Sequence, residues 1–277
     1  MSSQDHRRSP RASVRRILEL KREGTKIVAM SAYDVVFGAL MEEAGVDLIL
    51  VGDSVGTACL GYASTLPVTM DDMIHHAGAV KRGAPDSLVV LDMPFMTYQI
   101  SVEEALRNAG RALQEAGVEA VKVEGGHERT CEAIRAMVTS GIPVMGHVGL
   151  TPQSVHALGG YRVQGRDAED ADRLRAEARS LEEAGVFSIV LELVPASLAR
   201  DISASLTVPT IGIGAGPWCD GQVLVAYDAL GLNPGFGPKF LKRFAELHDA
   251  ALQGVRDFAR EVREGTYPGP EHSIQGD

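Results

Sequence analysis

A chain of 277 residues that is 45% hydrophobic can bury a large core, as two ordinary domains or one barrel-sized domain. Its 27 Lys+Arg against 37 Asp+Glu give a formal charge of -10, which excludes a domain-wide basic footprint for nucleic acid and favours a small-molecule partner. Cys59, Cys131 and Cys219 fit neither a disulfide framework nor a zinc spacing, and no run approaches the roughly 18 apolar residues of a membrane span, so the sequence predicts a soluble, cytoplasmic protein with reduced thiols.

Residues 1–12 are polar, and the arginines at 7, 8, 11, 15 and 16 are not followed by an apolar signal core; the start reads as disordered rather than as a presequence. Ser13 then opens a helix, VRRILELKRE, which Gly24 ends. From there apolar, β-branched runs recur at 26–31, 46–51, 88–93, 120–123, 142–147, 187–193, 208–213 and 222–227, with helix-period segments in most intervals. Ser101 with Glu104 predicts a capping box on a helix that runs to Gly117, and Thr69 with Asp72 a weaker one. Residues 239–264 read as one long helix with an apolar stripe through Phe240, Phe244, Leu247, Ala251, Val255 and Phe258, packing on the rest of the chain or on another subunit; 265–277 read as an irregular tail.

A repeated helix end organises the interior of the chain. Glu-Ala-Gly-Val occurs at 43–46, 115–118 and 183–186, each time before an apolar strand. The intervals from Gly45 to Gly117 and from Gly117 to Gly185 each hold two βα units of about 35 residues, and eight such units predict an α/β fold, a (β/α)8 barrel spanning 1–277 as one domain, with an added N-terminal helix and a long C-terminal helix. The weak joint is 214–221, too short for a full crossover helix, which keeps a doubly wound open sheet as the alternative.

The polar residues fall at the strand ends. An acid follows each of the three glycines seven or eight positions on, giving Asp53, Glu124 and Glu192, while Asp92 and His147 end the third and fifth strands. In VKVEGG, Lys122 and Glu124 share one face of a strand that otherwise reads as buried, a costly placement unless each has a partner. The C-terminal mouth of such a barrel is where chemistry sits. Asp53, Asp92 and Glu124 together suit a hard divalent cation, Mg²⁺ first and Mn²⁺ second. His147 is a further ligand, a residue that orients one, a substrate donor or a structural histidine, and Lys122 either binds an anionic substrate or forms a structural ion pair.

A cation beside a lysine holds the carboxylate and keto oxygen of a 2-oxo acid as a chelate and makes the adjacent C–H acidic. Glu192, with apolar Leu191, Leu193, Val194 and Pro195 around it, is the base across the mouth. Other features carry plainer readings. His75 and His76 serve packing or the surface, the glycine run at 212–216 turns tightly or cradles phosphate, and Trp218 covers the mouth or packs beneath it.

The motifs SAYD (31–34), VGDSVG (51–56), STLPVT (64–69), RGAP (82–85), LDMPFMTY (91–98), VKVEGG (121–126), GHVGLTPQS (146–154), GGYRVQGR (159–166), IGIGAG (211–216) and DGQVLV (220–225) occur in this order. With them the chain resembles the ketopantoate hydroxymethyltransferase family from about residue 25 to 273. The resemblance implies a (β/α)8 enzyme that moves a one-carbon unit from 5,10-methylenetetrahydrofolate to 3-methyl-2-oxobutanoate, giving 2-dehydropantoate in pantothenate biosynthesis. It implies Mg²⁺ on Asp53 and Asp92 with Glu124 contacting it directly or through water, oxo acid on Asp53, Ser54, Asp92 and Lys122, and Glu192 as base. It also implies a cytoplasmic homo-oligomer, a homodecamer. Departures are the Arg-rich start and Ile274, where the family commonly has an aromatic. Two other readings share these residues: a barrel lyase or mutase acting on a 2-oxo acid without folate, and a non-catalytic oxo-acid binding module, against which the acid at Glu192 counts.

Overall fold

The computed structural model describes residues 13–235 and 237–274, and the chain separates into two compact units, Met1–Val225 and Ala226–Asp277. The first is a closed barrel of eight parallel strands in sequential order: β1 (Ile27–Ser31), β2 (Leu48–Val51), β3 (Val89–Asp92), β4 (Ala120–Lys122), β5 (Val144–Gly149), β6 (Ser188–Glu192), β7 (Thr210–Ile213) and β8 (Gly221–Leu224). All eight apolar runs of the sequence become strands, and β1 pairs with β8, Ile27 opposite Gly221, to close the ring. The open-sheet alternative is thereby excluded. Around the strands lie α1 (Val14–Glu23), α2 (Val35–Glu43), the short α3 (Val55–Ala58), α4 (Met70–Gly83), α5 (Val102–Arg111), α6 (Glu128–Thr139), α7 (Ala168–Ala184) and α8 (Ala196–Ser205). Among the described residues no helix is long and apolar enough to cross a membrane.

Local rules set the helix ends. Gly45, Gly117 and Gly185, the three glycines of the repeat, all take left-handed backbone, with φ of 72°, 74° and 96°. The two capping boxes invert their expected strengths. Thr69 and Asp72 bond reciprocally at the start of α4, whereas Ser101 accepts from the Glu104 amide but Glu104 turns its carboxylate to Arg107 and Asn108. The helix after Ser101 also changes pitch, running as α5 to Arg111 and then as a π-helical turn, Ala112–Ala116, before Gly117. α2 and α4 touch backbone to backbone: a Cβ on Gly83 would lie 2.1 Å from the Val35 carbonyl oxygen.

Strand alternation then decides what fills the barrel. Ile27, Ala29, Leu48, Leu50, Leu88, Val90, Ala120, Met145, Phe187, Val190, Ile211 and Val223 form one buried cluster, completed by Ile17 and Leu20 of α1. These two α1 side chains meet strand-start residues such as Ile27, Leu48 and Leu88 and so close the N-terminal end of the barrel. Two residues along each strand from this cluster, on the same face, stand Asp92, Lys122, His147 and Glu192. Polar groups thus form the layer above the apolar one.

The short joint between β7 and β8 carries no helix. Residues 214–220 turn back with Gly214 and Gly216 at φ of 63° and 76°, and the Asp220 carboxylate fixes the return by accepting from the Thr210 amide at 2.8 Å and Lys21 Nζ at 3.0 Å. The last strand is also shorter than expected, ending at Leu224.

The second unit holds α9 (Ala226–Ala229), α10 (Leu247–Glu264) and a final helical turn at Pro270–His272. The expected helix from 239 therefore begins eight residues late. The amides of Phe244, Leu247 and His248 donate instead to the carbonyls of Ala229, Leu230 and Gly231, an arrangement that holds the preceding segment outside a helical register. Along α10 no side chain is buried, and Val255 and Phe258 are exposed. Arg7, Arg8 and Arg11 lie outside the described residues; Arg15 and Arg16 pair with Glu19 and Glu23 on α1.

Candidate active site

Asp92 and Lys122 are ladder partners at the ends of β3 and β4, and both carboxylate oxygens of Asp92 accept from Lys122 Nζ at 2.8 Å. Their side chains are only 4% and 5% exposed, so each lacks the solvation that would otherwise satisfy it. Asp53, two residues beyond β2, donates its amide to Asp92 Oδ2 at 3.4 Å. Glu124, two residues beyond β4, turns Oε1 toward His147 Nδ1 at 3.5 Å, and His147 Nε2 stands 3.4 Å from Glu192 Oε2. The six residues placed at the mouth by sequence thus form two trios, Asp53–Asp92–Lys122 and Glu124–His147–Glu192. Ser54 follows Asp53, but its hydroxyl goes to Tyr33 Oη at 2.8 Å.

The acid named as base does not lie in a wholly apolar setting. Glu192 is partly exposed and faces His147 instead. Its backbone is clamped: Leu150 N donates to its carbonyl at 2.8 Å, Gly149 at φ 101° leaves 2.2 Å between a would-be Cβ and that oxygen, and Leu193 takes φ 46°. Non-glycine residues in this region carry strain that the surrounding structure must over-determine.

Three side chains outside the expected set complete the site. Gln153, on the turn Pro152–Ser154 after β5, is buried and donates Nε2 to Asp53 Oδ2 at 3.0 Å and to the Met93 carbonyl at 2.9 Å. Its Oε1 accepts from Tyr98 Oη at 2.8 Å, its own amide donates to Glu124 Oε2 at 3.1 Å, and Tyr98 Oη accepts from the Glu124 amide at 3.1 Å. Tyr33, which receives the Ser31 hydroxyl at 3.2 Å, is the third. All three sit within or beside the ordered motifs but on loops without periodicity, so spacing alone does not single them out.

Electrostatics explain what such a cluster lacks. Burial first, then repulsion from Asp92 and Glu124, raises the Asp53 carboxyl well above its ordinary value against the pull of Lys122 and Gln153. Burial and Lys122 oppose charge on His147, yet Glu124 and Glu192 outweigh them and push it up to about 9. Lys122 is likewise raised: burial works against its charge, and Asp92, Glu124 and Asp53 overcome it. A dication beside Asp53 would take the place of the proton that burial and the repulsion from Asp92 and Glu124 favour there. Among the described residues no three acid, histidine or cysteine groups stand together as a metal cage, so the expected trio Asp53, Asp92 and Glu124 is not arranged as one, and Asp92 is engaged by Lys122. Such a donor set suits Mg²⁺, which takes one or two carboxylates and keeps several waters.

The plainer features resolve as follows. His76 Nδ1 lies 2.7 Å from the Tyr33 carbonyl, and the glycine run is a tight turn with Gly216 against Ala196, followed by a strand rather than by a helix N-terminus that would hold phosphate. Trp218 is exposed, and none of the three cysteines forms a disulfide.

The sequence model of the family described as Ketopantoate hydroxymethyltransferase matches residues 11–270. The chain is 55% identical over 256 residues to the 3-methyl-2-oxobutanoate hydroxymethyltransferase of Heliobacterium modesticaldum, covering 92% of each. It is 54% identical over 274 residues to that of Syntrophus aciditrophicus, covering 99% of this chain and 100% of the relative. Among solved structures it is similar to a phosphonopyruvate hydrolase complexed with oxalate and Mg++, with a TM-score of 0.61, 15% identity and coverage of 94% and 92%. A 2,3-dimethylmalate lyase of the PEP mutase/isocitrate lyase superfamily is similar at TM-score 0.59 and 16% identity, covering 95% and 88%. At these identities the structural likeness is one of fold.

Proposed function

Since the chain belongs to the ketopantoate hydroxymethyltransferase family, we propose that the barrel mouth performs its reaction with Asp53, Asp92 and Glu124 around a divalent cation, Lys122 on the oxo acid and Glu192 as the base. The protein is a hydroxymethyltransferase that converts 3-methyl-2-oxobutanoate to 2-dehydropantoate, with 5,10-methylenetetrahydrofolate as the one-carbon donor. The observation that carries the assignment of residues is the gathering of four carboxylates, Asp53, Asp92, Glu124 and Glu192, with Lys122 and His147 at the mouth of a closed barrel.

Mg²⁺ held there would polarise the keto oxygen and make the neighbouring C3–H acidic. Lys122, braced by Asp92, presents its ammonium to the substrate carboxylate, and the Ser54 hydroxyl, oriented by Tyr33, lies beside Asp53 for a further contact. Glu192 takes the C3 proton, and C3 then bonds to the one-carbon unit, whose two carbon–nitrogen bonds break to release tetrahydrofolate while water supplies the hydroxyl oxygen. His147 stands between Glu124 and Glu192 and holds the two carboxylates apart in fixed directions. Gln153 ties Asp53, Glu124 and the Met93 backbone into one geometry. The exposed apolar stripe of α10 supports assembly into a homo-oligomer, for which the family resemblance gives a homodecamer, and three cysteines outside any disulfide support a cytoplasmic setting.

The test is proton NMR of 3-methyl-2-oxobutanoate in D₂O with protein and Mg²⁺, first without and then with the folate donor. Exchange at C3 followed by a hydroxymethyl signal is the expected result. Absence of both, with folded and metal-loaded protein, would overturn the assignment.

A further inference from the structure

The mouth has an apolar rim that the oxo acid and the cation do not use. Phe95 and Met96 on the loop after β3, Tyr161 on the loop after β5 and Trp218 after β7 are large, exposed and drawn from three different loops at the C-terminal end of the barrel. Tyr161 is 57% exposed. A small 2-oxo acid bound at Lys122 has no surface to offer so large a ring.

The loop that bears Tyr161 is pinned at both ends to the acid cluster. At its start Gln153 bonds Asp53 and Glu124; at its end the Gln164 amide donates at 2.9 Å to the carbonyl of Leu193, the residue after Glu192. The span between these anchors begins at Asp53 and finishes beside Glu192. Gly159 and Gly160, at φ of 68° and 109°, turn the chain just before Tyr161, and a Cβ on either would meet open space, so the turn itself is unpacked. The phenol is raised from its ordinary value by burial and then by Asp53, Glu192 and Glu124, so the ring lies within the field of all three acids. The loop after β3 meets the same anchor, because Tyr98 and Gln99 both bond Gln153 Oε1, and it shows Met96 in left-handed backbone at φ 65°, a conformation retained where a site over-determines it.

We propose that Tyr161 is the platform on which the planar pyrimidine ring of the one-carbon donor's reduced pterin stacks, above the oxo acid, with the Phe95–Met96 loop as a further apolar contact. The inference rests on the hydroxymethyl-transfer reading and assigns the donor its place in that site. Stacking of a flat heterocycle on an aromatic side chain is sequence-tolerant and strong enough to set an affinity.

The test compares wild type, Tyr161→Phe and Tyr161→Ala in three readouts: KM for methylenetetrahydrofolate, KM for the oxo acid, and donor-free C3 exchange in D₂O. Tyr161→Ala should raise the donor KM roughly tenfold or more, the loss of one stacking contact, with the other two readouts much less affected. Tyr161→Phe, which keeps the ring, should restore the donor KM to within about twofold of wild type. The side chain is exposed, so its removal leaves the core intact. A donor KM unchanged in Tyr161→Ala, or a fall of exchange equal to the loss of transfer, would overturn the inference while wild-type turnover upholds the reaction; a wild type that exchanges C3 but forms no product from the donor would overturn both.

Discussion

Replacing Lys122 by methionine keeps the length of the side chain and removes its charge, leaving Asp92 buried near Asp53 without its ammonium partner. The pair is nearly closed to solvent, and at 2.8 Å with an effective dielectric of about 20 its attraction is about 6 kcal/mol, against which desolvation of both partners must be set. Removing one partner of such a pair destabilises by about 3–5 kcal/mol, because the remaining charge stays buried. Urea unfolding with a metal chelator present should show that loss for Lys122→Met, and the double variant Lys122→Met/Asp92→Asn should regain at least half of it, since the orphaned charge is gone. The KM for the oxo acid should rise in both. Equal losses in the single and double variants would refute the reasoning, because the penalty would then come from packing and not from an unpaired carboxylate.

Glu192→Gln should bind Mg²⁺ and oxo acid as wild type does while C3 exchange and turnover fall about 10²–10⁴-fold; unchanged turnover removes Glu192 from proton transfer. Ile17→Ala, at the closed end of the barrel, should cost about 2–5 kcal/mol in denaturant unfolding and leave kcat as it was, and a fall in kcat at full stability would contradict its purely structural place. Asp72→Ala should cost about 1 kcal/mol at neutral pH through loss of the Thr69 cap. Hydrogen bonds from the Thr69 amide and hydroxyl hold the Asp72 carboxyl below its ordinary value of 3.8, so this stability is present above that value and is lost as pH falls through the lowered one. A gap between wild type and variant that stays constant down to low pH would contradict it.

The sequence carried the barrel because eight buried runs and three repeated glycine ends each have one local solution: a strand between two apolar layers, and a left-handed helix stop. It carried the mouth because period two along a strand places Asp92, Lys122, His147 and Glu192 above the apolar residues two positions earlier. Gln153, Tyr98 and Tyr33 were not legible in the same way. They act from loops, where no period fixes direction, and their importance lies in partners from strands far away in sequence. The helix read from residue 239 fails for a related reason: Phe240 and Phe244 have helical spacing, but nearby amides are bonded to the end of α9, a non-local competitor that spacing does not reveal.

The stopper formed by Ile17 and Leu20 has a kinetic meaning. A barrel sealed at its far end has one doorway, and whatever lies deeper must enter sooner and depart later. With the oxo acid at the depth of Lys122 and the donor at the rim, as proposed above, the acid would enter ahead of the donor and the lengthened acid would leave after it. In that order a donor that arrived early would bar the way to its own acceptor, in a cul-de-sac with a single entrance.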